Sequence, residues 1–197
     1  MLPVPNGDVL VVAGDITNRG NLNDVVNFSD WAKKLPHKHK IIIAGNHDFC
    51  FEDDRHDQAV RILTMQGLIY LQDSEITIDG VKFYGSPWSP WFYDWAFNLH
   101  RGFEIREKWA LIPKDTDVLI THGPIHGHGD MTDDGQMVGC TDLAETIQKV
   151  QPEYHIFGHI HEGYGVTYDE GLDIKFVNAS TCTRQYLPTN PPLEIEI

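Results

Sequence analysis

The chain has 197 residues, of which 41% are hydrophobic and 22% are charged, and its formal net charge is −14 at pH 7. This length and composition suit a globular protein with a core of its own and exclude a disordered or fibrous chain. The negative charge argues against tight, sequence-independent binding to duplex nucleic acid, which depends on Lys and Arg contacts to phosphates.

The predicted elements alternate between strands and helices along the chain. Short apolar runs flanked by turn residues predict strands that are buried on both faces, and 3.6-residue periodicity predicts helices. In chain order we predict strands at 9–13 and 40–44, with helices at 22–34 and 57–66, a hairpin of 74–78 and 81–84, a helix at 98–111, a strand at 117–121, a helix at 143–150, a strand at 154–157, a hairpin of 166–168 and 174–177, and a last strand at 192–197. This order predicts an α/β or α+β fold in layers, forming a single domain over residues 1–197.

Cysteine usage and hydropathy indicate the compartment. Cys50, Cys140 and Cys182 have no paired spacing, so we expect free thiols in a reducing environment. No apolar run is long enough to cross a membrane. The first residues, MLPVPNGDVLVV, lack the basic and apolar regions of a signal peptide. Together these features predict a cytoplasmic protein.

Polar side chains follow four of the predicted strands, at the point where each strand ends. They are Asp15 after the first strand, Asn46, His47 and Asp48 after the second, His122 after 117–121, and His159 and His161 after 154–157. In open α/β sheets, ligands bind in the crevice beyond the carboxyl ends of the strands. We therefore expect these side chains to converge on one site.

The chemistry of this set indicates divalent metal ions. One carboxylate, one amide oxygen and three imidazoles suit Mn, Fe, Zn, Co or Ni. Two such ions about 3.5–4 Å apart can clamp a phosphoryl group and activate a water molecule as hydroxide. In a turn, the His47 side chain can face the leaving-group oxygen and donate a proton, with Asp48 fixing the orientation of the imidazole.

Four motifs resemble those of the calcineurin-like metallophosphoesterase superfamily, and they occur in the order of that family. They are GD at 14–15, GNHD at 45–48, THGP at 121–124 and GHIH at 158–161. The stretch GSPWSPWFYDWAFNL at 85–99 is similar to the metallophosphoesterase domain-containing (MPPED-type) branch, which includes cyclic-nucleotide phosphodiesterases. The resemblance implies a four-layer αββα sandwich, a centre of two divalent ions with manganese favoured, and hydrolysis of a small phosphodiester or phosphomonoester, a cyclic nucleotide among them.

The resemblance also implies a role for each matching residue. Asp15 resembles the carboxylate that bridges the two ions, and His47 resembles the catalytic proton donor. Asn46, His122 and His159 are similar to the remaining protein ligands of the second ion, and His161 to a ligand of the first ion. Asn46 and the ions would also stabilise charge on the substrate.

The resemblance is incomplete at its start. The family begins with a strand ending in Asp-x-His, and no such motif lies upstream of Asp15 in this sequence. We therefore expect a fold without its first core strand, with the first ion weakly held, and interpret the chain as N-terminally truncated. The alternative to an active phosphoesterase is a metal-binding module with impaired catalysis, or a truncated isoform without a complete dinuclear site.

Three further features are candidates for substrate contact. His128 follows His122 closely in GPIHGHGD, and Arg101 supplies a cation that can pair with phosphate. The aromatic residues at 88, 91, 92, 93 and 95 suit either a hydrophobic cluster that holds a proline-rich loop or a surface on which a nucleobase stacks.

Overall fold

Two β-sheets face each other in the computed structural model, which describes residues 3–197. Met1 and Leu2, which begin the segment expected to carry no signal peptide, lie outside the described residues. The strands are β1 Val9–Ala13, β2 His39–Ile43, β3 Ile69–Tyr70, β4 Ser74–Ile78, β5 Val81–Ser86, β6 Ser89–Pro90, β7 Asn98–Leu99, β8 Val118–Thr121, β9 Tyr154–Phe157, β10 Gly165–Asp169 and β11 Ile174–Asn178. The helices are α1 Leu22–Ala32, α2 His56–Met65, α3 Phe103–Trp109 and α4 Thr141–Val150.

The sheets are the inner layers of a four-layer sandwich. One sheet has the strand order β1-β2-β3, and the other has the order β10-β11-β9-β8-β5-β4. Ile41 and Ile43 of β2 pack with Val118 and Ile120 of β8 between the sheets. Since side chains alternate along a strand, the residue Ile42 faces the opposite way, into the α1 and α2 layer.

Helices α3 and α4 cover the outer face of the larger sheet. Their buried residues Ile105, Trp109, Leu143 and Ile147 pack with the strand residue Leu119. The predicted layered α/β fold with an αββα arrangement is therefore confirmed. No helix within residues 3–197 combines the length and the apolar character needed to cross a membrane.

Parallel strand pairing places the turns that carry the candidate site residues at the same end of each sheet. β1 pairs in parallel with β2, and β8 pairs in parallel with β5 and β9. The turns that carry the candidate site residues follow β1, β2, β8 and β9, so each lies at the carboxyl end of its strand. Strand β1 forms an edge of the smaller sheet, and all of its residues are partly exposed.

Two predicted elements were wrong. The segment 98–111 is not one helix, because Asn98–Leu99 pairs with Ser89–Pro90 as a short strand and Gly102, at φ +88°, turns the chain before the helix begins at Phe103. The segment 192–197 forms no strand. Its alternation reflects burial alone, because Leu193 and Ile195 pack on the inter-sheet core while the intervening Glu194 is exposed.

Candidate metal centre

Three potential ligands converge at the ends of the strands. One ligand atom from each of Asp15, His122 and His159 lies within 4.8 Å of the other two. The side-chain oxygen Oδ1 of Asn46 lies 2.8 Å from Nε2 of His122, and Oδ2 of Asp15 lies 3.4 Å from the same nitrogen. The sequence-predicted ligands Asp15, Asn46, His122 and His159 therefore lie at one site.

The orientation of His122 leaves a lone pair facing this group. Its Nδ1 lies 2.8 Å from the carbonyl oxygen of Ala13, and a carbonyl can only accept, so Nδ1 carries a proton. In the neutral imidazole, Nε2 then faces Asn46 Oδ1 with lone pair against lone pair. A proton on Nε2, rotation of the Asn46 amide to present its N–H, or a cation shared by the nitrogen and the oxygens would each relieve this repulsion. The donor set therefore fits a divalent ion held by imidazole and oxygen ligands.

Two of these ligands occupy strained turns. Asp15 has φ +57° and His159 has φ +68°, in the left-handed region that non-glycine residues rarely adopt. Each such residue costs on the order of 1 kcal/mol, so the surrounding contacts must hold it in place. Among the four predicted ligands, only these two, in the turns after β1 and β9, have positive φ.

The shifted pKa values of Asp15 and His159 favour the protonation states in which these side chains can bind a metal ion. Burial opposes ionisation of Asp15, but the adjacent imidazoles of His122 and His47 and the His47 amide outweigh it and lower its pKa. Burial, together with the positive form of His122, lowers the pKa of His159 to about 3. At neutral pH the site therefore offers an ionised carboxylate and a neutral imidazole, the protonation states that metal binding requires.

Asp48 has a different role from the predicted one. Its carboxylate accepts hydrogen bonds from the amides of Thr17 (2.8 Å) and Gly45 (2.9 Å) and from the Thr17 hydroxyl (2.8 Å). Burial, with a contribution from the charge of Asp15, raises the pKa of this carboxyl to about 6. Asp48 thus joins the turns after β1 and β2, and the prediction that it orients the His47 ring was wrong.

A backbone carbonyl orients His47 instead. Nδ1 of His47 donates to the carbonyl oxygen of Asn18 at 2.9 Å, which leaves Nε2 free of that contact. The amide of His47 donates to Asp15 Oδ1 at 3.0 Å. This imidazole therefore lies beside the predicted ligands, held at Nδ1 and with Nε2 available. Sequence reasoning missed Asn18 because its backbone, and not its side chain, makes the contact.

A cavity of about 570 Å³ opens over the site. Asp15, Asn46, His47, His159 and His161 all line it. Further lining residues that the sequence did not single out include Met137, Glu162, Arg184 and Tyr186. Several of them lie on loops remote in sequence from the motifs, so no local pattern pointed to them.

His161 lies in this cavity but outside the compact ligand group. Its Nδ1 donates to the carbonyl oxygen of Thr183 at 2.9 Å, and its ring meets that of Tyr186 edge to face at 5.4 Å between centroids. The carbonyl contact leaves Nε2 as the nitrogen with a free lone pair.

The two residues predicted to contact the substrate, His128 and Arg101, differ in their position relative to the cavity. His128 does not line the cavity, because its ring stacks on Phe176 at 4.0 Å and its Nε2 lies 3.3 Å from Asp169. Arg101 does line the cavity, but its guanidinium donates to the carbonyl oxygens of Val138 (2.8 Å) and Gly139 (2.9 Å). Arg101 therefore stabilises the loop of the cavity wall that contains Val138 and Gly139.

The aromatic segment divides between the two roles that the sequence left open. Trp88 is partly buried and packs against the hydrophobic core, and its indole nitrogen donates to Asp73 at 2.9 Å. Trp91, Phe92 and Trp95 line the cavity. One part of the segment therefore anchors the loop, while the other forms an aromatic wall beside the ligand group.

Comparison with known proteins agrees with this arrangement. The family model described as Calcineurin-like phosphoesterase matches residues 1–163. The chain is 44% identical to Metallophosphoesterase domain-containing protein 1 of Homo sapiens, over 100% of this chain and 66% of that protein. It is 39% identical to UPF0046 protein T07D4.2 of Caenorhabditis elegans, over 98% of this chain and 55% of that protein.

A solved structure, TT1561 of Thermus thermophilus, superposes with a TM-score of 0.59 at 12% identity and covers 88% of this chain and 76% of that one. At this identity the likeness supports the fold alone. The chain spans 66% and 55% of the two relatives above, so it matches about two thirds of their length or less. With the family model matching residues 1–163 and these relatives aligned along it, the chain belongs to the calcineurin-like phosphoesterase family.

Proposed function

We propose that this chain hydrolyses a small phosphoester in a metal-dependent reaction. The observation that carries the proposal is the convergence of Asp15, His122 and His159, with ligand atoms within 4.8 Å of one another, beside a cavity that Asp15, His159 and His47 line. A bound divalent ion would supply Lewis-acid polarisation of the phosphoryl group and an acidified water. Membership of a phosphoesterase family supports the same reaction class.

Each residue of the site has a distinct part in the proposal. Asp15, Asn46, His122 and His159 would hold one ion, and Asp15 with the free Nε2 of His161 would contribute to a second. With Nδ1–H donated to the Asn18 carbonyl, a doubly protonated His47 would carry a second proton on Nε2 and would give it to the departing ester oxygen. The Asn46 amide beside the ligands would donate to a phosphoryl oxygen and stabilise its developing charge.

The substrate we propose is a small phosphodiester, with a cyclic nucleotide as one example, or a phosphomonoester. A cavity of about 570 Å³ lies within the size range of small-molecule sites. The aromatic wall of Trp91, Phe92 and Trp95 offers a surface for an apolar or planar leaving group. We propose manganese as the ion, because oxygen and imidazole ligands suit it.

We also propose that the protein works in the cytoplasm. The thiols of Cys50, Cys140 and Cys182 are all free, and the first two are buried. Free thiols are typical of a reducing compartment.

Metal stoichiometry combined with turnover tests the function. The purified chain, loaded with Mn²⁺ and desalted, should retain metal by elemental analysis and should hydrolyse bis(p-nitrophenyl) phosphate. His159→Ala should lose both metal and turnover, whereas His47→Ala should keep its metal and lose turnover by about 100-fold on an ester with a poor leaving group. Equal metal loss in the two variants would contradict the role of His47.

The second candidate is a metal-binding module without efficient catalysis. It is favoured by the position of His161 outside the group whose ligand atoms lie within 4.8 Å, which leaves one well-formed set of ligands among residues 3–197. About one equivalent of metal without turnover would support the module. Near two equivalents with turnover would support the enzyme.

A further inference from the structure

The indole of Trp95 lies against the imidazole of His47. The two ring centroids are 4.5 Å apart, and the ring planes are tilted by 41°. We propose that Trp95 is a positioning residue, which holds His47 at the angle from which Nε2 reaches the leaving-group oxygen. This inference rests on the proposed function, because it concerns the proton donor of the same site.

A backbone hydrogen bond holds the loop that carries Trp95 next to the turn that carries His47. The amide of Ala96, directly after Trp95, donates to the carbonyl oxygen of Asn46, directly before His47, at 3.1 Å. Ala96 and Phe97 are both fully buried in the core beneath α1 and α2. The indole therefore projects from a loop whose next two residues are fixed to the protein interior.

The imidazole needs such support because its own ring makes one hydrogen bond. That bond joins Nδ1 to the carbonyl oxygen of Asn18, and a single bond at one corner of a ring leaves the ring free to tilt about it. Contact with an aromatic face removes that freedom. An indole is suited to this task because it is large and rigid, with only two side-chain torsions.

The outer surroundings of Trp95 restrain it as well. The guanidinium carbon of Arg19 lies over the indole at 4.9 Å from its centroid, and the ring of Phe49 lies 6.0 Å away. Arg19 belongs to the same turn as Asn18, which accepts the His47 bond. The turn after β1 thus contacts both the imidazole and the residue that supports it.

A positioning role predicts that the rate loss depends on the basicity of the leaving group. A general acid matters most when the departing alkoxide is strongly basic, and it matters little when a p-nitrophenolate departs. Loss of the indole should therefore slow hydrolysis of a methyl p-nitrophenyl diester little, but should slow hydrolysis of an alkyl diester much more, the same selectivity that loss of His47 should show. A residue that only stabilises the fold would lower both rates together.

The test compares Trp95→Leu, Trp95→Phe and the control Tyr93→Leu in the metal-loaded protein. Tyr93 lies on the same loop, is 66% exposed and does not line the cavity. We expect Trp95→Leu to reduce kcat on a dialkyl phosphate by about 10-fold or more and kcat on the p-nitrophenyl ester by less than about 3-fold. Trp95→Phe should recover most of the loss, and Tyr93→Leu should match the wild type.

Two measurements separate this role from a general defect. Added to His47→Ala, the Trp95→Leu change should cause no further loss on the dialkyl ester, because both changes remove the same proton transfer. By NMR of the protein loaded with diamagnetic Zn²⁺, the His47 ring protons should carry an upfield ring-current shift that disappears in Trp95→Leu, with or without turnover. The His47 resonances are assigned by their absence in His47→Ala.

The outcomes are distinguishable. Equal slowing of both esters, additive losses with His47→Ala, or an absent ring-current shift in the wild type would each overturn the role of Trp95 alone. A wild-type chain that binds metal but hydrolyses neither ester would overturn the proposed function, and the positioning role with it.

Discussion

A methyl group added at Gly45 should disable the candidate metal centre without removing any ligand. Gly45 lies directly before Asn46, where the chain leaves β2. In Gly45→Ala the new Cβ would lie 2.5 Å from Cε1 and 2.6 Å from Nδ1 of His122, and closer still to Oδ1 of Asp15. The glycine is required here by close approach, since its φ lies outside the left-handed region.

The magnitude follows from these distances. The optimal separation of non-bonded carbon atoms is about 3.5–4.0 Å, so the side chains of His122 and Asp15 must each move by about 1 Å. Metal sites tolerate departures of only about 0.2 Å in ligand distance. We therefore expect Gly45→Ala to weaken metal binding by about 100-fold, and to lower the free energy of unfolding by about 1–3 kcal/mol through overpacking.

Isothermal titration with Mn²⁺ measures the first effect, and urea denaturation of the metal-free protein measures the second. Gly123→Ala is the matched control, because Gly123 directly follows the candidate ligand His122. A Cβ at Gly123 would lie 3.6 Å from the Ser89 Cβ and 3.8 Å from His159 Cδ2, which are ordinary contacts. This control should bind metal as the wild type does.

Wild-type affinity in Gly45→Ala would refute the reasoning. It would mean that Asp15 and His122 can move apart without cost to metal binding, and that they are not ligands of one ion. Equal losses in Gly45→Ala and Gly123→Ala would instead show that any methyl group near the strand ends disturbs the site, and that the specific contacts at Gly45 do not decide it.

Three further predictions concern stability. Asp48→Ala should lower the free energy of unfolding in urea by about 3 kcal/mol, because it leaves the buried amides of Thr17 and Gly45 without an acceptor, and an undiminished value would contradict the bridging role. Burial lowers the pKa of His155 to about 3, against about 6.5 in the unfolded chain. The unfolded state therefore binds the extra proton as pH falls from about 6.5 towards 3, so this residue should lower the free energy of unfolding by about 1.4 kcal/mol per pH unit; His155→Gln should reduce the slope of stability against pH by that amount and leave the slope due to His159. Mn²⁺ at about 100 times its Kd should stabilise the protein by about 2.7 kcal/mol in thermal or urea denaturation, chelation should reverse the gain, and His159→Ala should show none of it.

The sequence specified the fold where burial follows a simple rule. Strands β1 and β9 begin and end at the predicted residues, because short apolar runs between turn signals favour strands. The predicted burial on both faces holds for β9, whereas β1 is an edge strand whose residues are all partly exposed. The segment 98–111 failed because two local rules competed. Its helical periodicity extends back to Asn98, but pairing of Asn98–Leu99 with Ser89–Pro90 and the turn at Gly102 start the helix at Phe103.

The site was predictable only where a side chain carries the function. Asp15, Asn46, His122 and His159 stand at strand ends with ligand chemistry, so topology alone brought them together. His128 and Arg101 carry suitable chemistry too, but tertiary contacts with Phe176 and with the Val138 and Gly139 carbonyls occupy them. The Asn18 carbonyl could not be found by residue type, because every residue has one.

The candidate site is assembled by cross-links between its turns that do not involve the metal-facing atoms. Asp48 joins the turn after β2 to the turn after β1, and His122 Nδ1 reaches the Ala13 carbonyl at the end of β1. The amide of Gly158 donates to the His122 carbonyl oxygen at 2.9 Å, which ties the turn after β9 to the turn after β8. These bonds hold Asp15 and His159 at positive φ before any ion is present. Folding therefore supplies the free energy that holds these lone-pair-bearing groups close together. The free energy of metal binding is then not reduced by the need to assemble the site.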